Sequence, residues 1–328
     1  MGEIERLLPG TKVSEWSATA IAAALPTTFY DDRGFVIGGQ IGSYTDKIQK
    51  FMFSNGARST LSATLSNARL YFGAASNGRV AGYVFGGRNG GFHDNVAKII
   101  FANDTCSDIS STLSATRSHN SAFADSGMAG YCIGGTNSSW SVQATVDKFA
   151  FSDDSRTTLG TGLSNARRNL CGMANSGTAG YACGGSSFAQ TYVDKFAFSN
   201  DARSTLGTGL SNDRGSAAAF GNSGVAGYVG GGYTGNSPAG PQSSVDKFAF
   251  SNDARSTLGT GLTAAVHQCA GMANNGVAGY VTGGSTSSGA RVSTVDKFDF
   301  SNDSRSTLSP GLQETNTGHT ACSSSDFS

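Results

Sequence analysis

Three of the four histidines, His119, His267 and His319, sit at nearly the same position of a repeating sequence, each just ahead of a run of small residues. Imidazoles brought together from separate segments are one way to hold zinc, which takes three or four nitrogen or thiolate ligands. Here the three positions differ by one residue each, and no CxxC pair or Cys/His spacing accompanies them. The expectation is therefore polar lining of a channel mouth, with no metal and no cofactor. The six cysteines, Cys106, Cys132, Cys171, Cys183, Cys269 and Cys322, share no common position and read as small buried thiols. A lysine does recur, as Lys50, Lys98, Lys148, Lys195, Lys247 and Lys297. Six cations could ring an anionic ligand, but these alternate with aromatics and are expected to bond a carbonyl or carboxylate between neighbouring repeats. Neither a GxSxG elbow nor a phosphate-binding glycine loop is present, and the sequence reads as that of a noncatalytic protein, with no catalytic residue.

The elements that would position these residues follow from the repeat. A diglycine closes GFVIGG, GYVFGG, GYCIGG, GYACGG, GYVGGG and GYVTGG, at steps of 48, 48, 50, 47 and 52 residues. From the residue that opens each VDKF-like segment to the next diglycine the frame is always 40 residues, so all length variation falls between diglycine and VDKF, in loops of 8, 8, 10, 7, 12 and 10 residues. Each frame reads as four strands. VDKFAF alternates, SNDA makes a polar turn, RSTL forms an edge, GLSNAR connects, and GMANS and GYVxGG follow. Small residues place GMANS innermost, while Arg, Ser and Thr suit RSTL to the outer edge. Four strands in about 48 residues make a propeller blade. The fold class is all-β: a six-bladed β-propeller of four-stranded blades over residues 34–328.

A sixth frame from Val295 would end six residues beyond Ser328, and GFVIGG opens the series with no inner strand before it. The tail GHTACSSSD is expected to supply that strand, closing the ring in the first blade. Residues 1–33 form an N-terminal arm outside the repeat, either folded back as a plug or used for docking, with residues 24–30 as competitors for the closing position.

Composition excludes several partners. Lys and Arg total 23 against 23 Asp and Glu, with no run of like charge, so no nucleic-acid footprint is present. No apolar run approaches the ~20 residues that span a bilayer, so no membrane insertion is expected. The start, MGEIERLLPGTKVSEW, is acidic where a secretory signal is basic.

These residues resemble the kelch repeat in the diglycine strand, in the aromatic before it (Tyr83, Tyr131, Tyr181, Tyr228 and Tyr280, with Phe35 in the first copy) and in an arginine after the outer strand (Arg69, Arg117, Arg167, Arg214). The kelch outer-strand Trp is replaced by RSTL, and the arginine is lost at Val266 and Asn316. The near-identical Gly/Ser/Asn-rich copies and the N-terminal arm are also similar in style to propeller modules of bacteriophage tail and fibre proteins.

A scaffold repeated this closely concentrates difference in the variable loops, which carry Tyr44, Arg88, Phe92, Trp140, Phe188, Tyr192, Tyr233 and Arg291. Aromatics among Ser, Thr, Asn and Gln suit a sugar or a protein surface. The expected function is a structural and recognition protein, a virion component bound to other virion or scaffold proteins through residues 1–33 and to a glycan or protein receptor by its loop face. The alternative is a soluble bacterial lectin or kelch-type interaction scaffold, cytoplasmic or secreted without a recognisable signal.

Overall fold

Each repeat becomes one antiparallel sheet, and the fourth shows the pattern. Its strands run from the axis outward as Cys171–Asn175, Ala179–Cys183, Val193–Ala197 and Ala202–Thr205. The second strand is buried on both faces, the third alternates, and the outer one is largely exposed, a gradient from axis to rim. The computed structural model describes residues 32–185, 190–236 and 239–325. The chain divides into Met1–Asp31 and Asp32–Ser328; the arm expected over residues 1–33, with the closing-strand competitors 24–30, lies outside the described residues except for Asp32 and Arg33, and Arg33 opens a strand of the ring.

Six such sheets are present, each of four strands. Their inner strands are Thr320–Ser323, Gly73–Asn77, Ser121–Asp125, Cys171–Asn175, Ala218–Asn222 and Ala270–Asn274, for blades 1 to 6. Each touches the next, and the first touches the last. The ring is a six-bladed β-propeller. Blade 1 is assembled from both ends of the unit: Thr320–Ser323 pairs with Arg33–Ile37, Cys322 opposite Phe35. The tail thus supplies the closing strand, as the missing six residues required.

Neighbouring blades meet through four contacts. The second glycine of every pair donates its N–H to the connection of the following blade, Gly39 to Arg69 O (2.8 Å) and Gly185 to Arg214 O (3.0 Å) among them, and its φ of +91 to +111° suits glycine alone. At the glycine before the aromatic, a side chain of the preceding inner strand lies so close that a Cβ on Gly180 would stand 2.1 Å from Phe123. The aromatic itself stacks on the phenylalanine that ends the next blade's VDKFAF segment: Tyr83 on Phe151 (4.8 Å), Tyr181 on Phe250 (5.3 Å), Tyr280 on Phe53 (4.8 Å) and Phe35 on Phe101 (4.9 Å).

The fourth contact explains the lysines. The turn after VDKFAF places an aspartate at φ +55 to +60° in five blades, Asp104, Asp154, Asp201, Asp253 and Asp303. Each receives the lysine of the preceding blade; Lys195 Nζ, for example, is 2.7 Å from Asp253. Four of them also accept the tyrosine hydroxyl, as from Tyr181 to Asp253 at 2.8 Å. Burial first, and the aspartate bond second, push these four phenols far above their ordinary range. The clamp fails at one interface only. Blade 1 has Gly56 at the aspartate position, so Tyr280 and Lys297 of blade 6 face no carboxylate there, and Tyr280 is pushed up only to about 12, by burial and then Asp299.

The connection arginines are equally structural. Arg117, Arg167 and Arg214 are fully buried against Asp147, Asp194 and Asp246, the second residue of VDKF in the same blade; Arg167 Nη2 lies 2.5 Å from Asp194. The same aspartate accepts the backbone N–H and hydroxyl of a connection serine, Ser164 at 2.8 and 2.9 Å. In blade 2 Ala97 replaces the aspartate and Arg69 turns to Asn95; in blade 1 Asn316 and Gln49 replace both partners. In blade 6 the aspartate stays without its connection arginine: Val266 replaces the cation, and Asp296 is held by Thr263, Thr307 and Arg305.

Candidate functional site

The three residues after the connection-arginine position, held by Val266 and Asn316 in two copies, differ in all six: Leu70-Tyr71-Phe72, Ser118-His119-Asn120, Arg168-Asn169-Leu170, Gly215-Ser216-Ala217, His267-Gln268-Cys269 and Thr317-Gly318-His319. The middle ones form the channel mouth. Tyr71, His119, Asn169, Ser216, Gln268 and Gly318 all have φ between +55 and +63°. Each donates its N–H to the carbonyl of the one before it, at 2.6 to 3.0 Å, and Tyr71 closes the circle on Gly318. Six main-chain hydrogen bonds thus belt the mouth, above a cavity of about 110 Å³ lined from every blade.

The variable loops rise around this belt, because the first residue after most diglycines pairs with the residue preceding the belt: Arg88 with Leu70, Tyr233 with Gly215, Ser285 with His267, Gln40 with Thr317. Side chains then converge on one side. Tyr71 stacks on His119 at 4.3 Å, and His119 lies 6.3 Å from Trp140. The Arg88 guanidinium lies over the Trp140 ring, 4.9 Å from its centre, and 5.8 Å from that of Phe92, while Phe92 meets Trp140 edge-on at 5.1 Å. Trp140 is 51% exposed and holds φ +60°, a strained conformation for a bulky residue and one typical of sites where geometry serves binding. Opposite, Gln268 Nε2 donates to the Tyr71 hydroxyl at 2.9 Å, and Thr317 donates to Gln268 Oε1 at 3.0 Å. Gly318 makes room, since a Cβ there would lie 3.0 Å from the Tyr71 ring.

The electrostatics are one-sided. Burial, then Arg168 and Arg88, lower the His119 imidazole to about 4, so it is a neutral plate at pH 7. Arg88 and Arg291 also act on the Tyr71 phenol, whose pKa burial raises. Among the described residues Arg88, Arg168 and Arg291 join no salt bridge, and the buried Nε of Arg88 and of Arg168 finds no partner. Asp213, beside the belt, is occupied by Thr234, Gly235 and Asn236.

Of the eight loop residues singled out, the structure unites Arg88, Phe92 and Trp140, with Tyr44 and Arg291 near Tyr71. Tyr233 stands apart, edge-on to His267 at 5.4 Å. Tyr192 is exposed and makes no ring contact among the described residues, and Phe188 lies outside the described residues. Tyr71, Gln268 and Arg168 escape a reading confined to the variable loops; the three non-repeating columns after the arginine were their signal. The histidines do not converge. His119 belongs to the aromatic cluster, His267 bonds Ser285 O (3.0 Å), and His319 is buried with Nε2 3.0 Å from the Thr282 hydroxyl. Among the described residues no three His, Cys, Asp or Glu side chains are grouped to hold a metal, and all six cysteines are free thiols.

A rigid ring with an aromatic, cationic mouth defines a propeller with a candidate binding face. No protein-family profile matches the chain, and no curated protein sequence matches it. It is similar to the solved structure of YjhT, with a TM-score of 0.67 and 13% identity, over 84% of this chain and 97% of that one. At that identity the likeness concerns the fold alone.

Proposed function

We propose that this chain is a noncatalytic recognition protein of kelch-like, phage tail or fibre type, a virion component whose loop face binds a receptor on a cell surface or another subunit. One observation carries the reading: on a ring whose blades are otherwise nearly interchangeable, Tyr71, Phe92, Arg88, His119 and Trp140 gather at one side of the mouth. Loops on a rigid scaffold are where binding residues concentrate, and half-exposed aromatics with nearby amides and hydroxyls suit a glycan or a protein surface. The virion assignment is supported by the style of the repeats and by a short N-terminal segment outside them, proposed to dock the protein to other virion or scaffold proteins. The test has two arms. Deleting residues 1–31 should abolish copurification with the particle, and Trp140→Ala should abolish attachment to receptor-bearing cells while the melting temperature is unchanged. Attachment unaffected by Trp140→Ala would remove the loop-face reading.

A further inference from the structure

Resting on that reading, we infer that the mouth takes an acidic saccharide, with a sugar ring against the open surface of Trp140 and its anionic substituent held by Arg88 and Arg168. The argument starts from the contrast between two sets of arginines. Those of the connections are held: Arg117, Arg167 and Arg214 each have an aspartate, and Arg69 donates to Asn95. Those at the mouth join no salt bridge among the described residues: Arg88 lies over Trp140, Arg168 adjoins Asn169, which donates to His119 O, Arg291 acts on Tyr71, and Asp213 is already engaged by Thr234, Gly235 and Asn236. In a chain with equal numbers of acidic and basic residues, that is a local excess of cation.

The geometry then narrows the ligand. A guanidinium lying over an indole, as Arg88 does over Trp140, keeps its in-plane N–H fork free for two parallel bonds to a carboxylate or sulfate. Phe92 stands perpendicular to the indole at 5.1 Å and His119 lies tilted to it at 6.3 Å, which constrains the orientation of the half-exposed ring for stacking. His119, neutral at pH 7 and stacked on Tyr71, adds no charge of its own. The Ser216 hydroxyl and the chain of hydrogen bonds linking Tyr71, Gln268 and Thr317 give the remaining rim the polar character that sugar hydroxyls use. An extended nucleic acid is a poorer fit, because the formal net charge is zero and the sequence holds no run of like charge.

Calorimetry on the full chain tests this with three probes: an oligogalacturonate for carboxylate, a heparin oligosaccharide for sulfate, and maltoheptaose as neutral control. The expected result is binding of one acidic probe and not of maltoheptaose, weakened by raising salt from about 50 to about 300 mM. Arg88→Gln and, independently, Arg168→Gln should each weaken it roughly tenfold through loss of a charge-assisted bond, with unchanged thermal unfolding. Both variants are needed in case one perturbs its loop. Preference for maltoheptaose, or binding indifferent to both substitutions, overturns the inference, as does failure to bind any probe. The broader recognition reading survives those results if Trp140→Ala still abolishes cell attachment, which separates the two failures.

Discussion

Replacing Asp253 by glycine removes one inter-blade clamp and leaves the turn that carries it intact. Asp253 holds φ +57°; glycine relieves about 1 kcal/mol of left-handed strain and returns nearly as much through the greater freedom of the unfolded chain, so backbone effects nearly cancel. What is lost are the bonds from Tyr181 (2.8 Å) and Lys195 (2.7 Å). A hydrogen bond to a charged acceptor contributes about 1.5 kcal/mol. The ion pair, with side chains 25% and 24% exposed, adds about 0.5 kcal/mol after screening. The expected loss is about 2 kcal/mol, or roughly 3 °C in melting temperature for a unit of this length. Urea unfolding followed by circular dichroism measures it, with Tyr181→Phe and Lys195→Met dividing the total. A loss below about 0.5 kcal/mol, the scatter of neutral surface substitutions, would show that the clamp does not hold the blades together.

The remaining predictions bear on the same framework. Gly56→Asp, where a Cβ meets nothing nearer than Arg58 at 3.8 Å, should complete the sixth clamp with Tyr280 and Lys297 and raise stability by about 1 kcal/mol after the strain of φ +69°; a fall in the urea midpoint would contradict that assignment. Arg167→Met should cost about 3 kcal/mol, because Asp194, fully buried, loses its close cation and keeps only Arg203 at 3.8 Å; calorimetric unfolding within 1 °C of the parent would refute the role given to the clip. Acid should destabilise the ring: burial lowers His319 and His119 to about 4, so the unfolded chain binds protons first, and stability present above about pH 6.5 is lost as pH falls toward 4. His319 contributes up to about 3 kcal/mol of that loss, and His319→Asn, matching Asn120 at the same position of blade 3, should flatten the pH dependence of the urea midpoint; an unchanged slope would exclude His319 as its source.

The architecture was legible because it is written six times. Strand order followed from residue size, with Gly, Met and Ala crowding the axis and RSTL facing solvent, and the seam from a deficit of six residues matched by GFVIGG without an inner strand. The bonding of the lysines was half legible: alternation showed that they face a neighbour, but their partner lies a whole blade away, 58 residues on for Lys195 and Asp253, and neither residue varies enough across the copies to betray the other. Gly56, in the one copy of this turn that lacks the aspartate, marks the one unclamped interface. The mouth was only partly legible, for the opposite reason. His119 could be placed at a channel mouth from its position in the repeat, but Tyr71 and Gln268 stand in columns where nothing repeats, and the common backbone conformation and hydrogen-bond belt of these residues are properties of the ring, not of any one copy.

That belt has a further consequence. Because it is made of main chain alone, any residue able to hold a left-handed turn serves in it, and six unlike ones do. The duplicated stretch Val193–Leu210 and Val245–Leu262 encloses one such belt residue, Ser216, and one complete loop, 233–244, as a cassette between identical flanks. Genetic exchange between related genes at those flanks would deliver a new rim residue and its matching loop in one event, in frame, and the ring would close around the newcomer unchanged. The sameness of the blades is in this sense an adaptor, which lets the mouth differ while the frame of the ring stays the same.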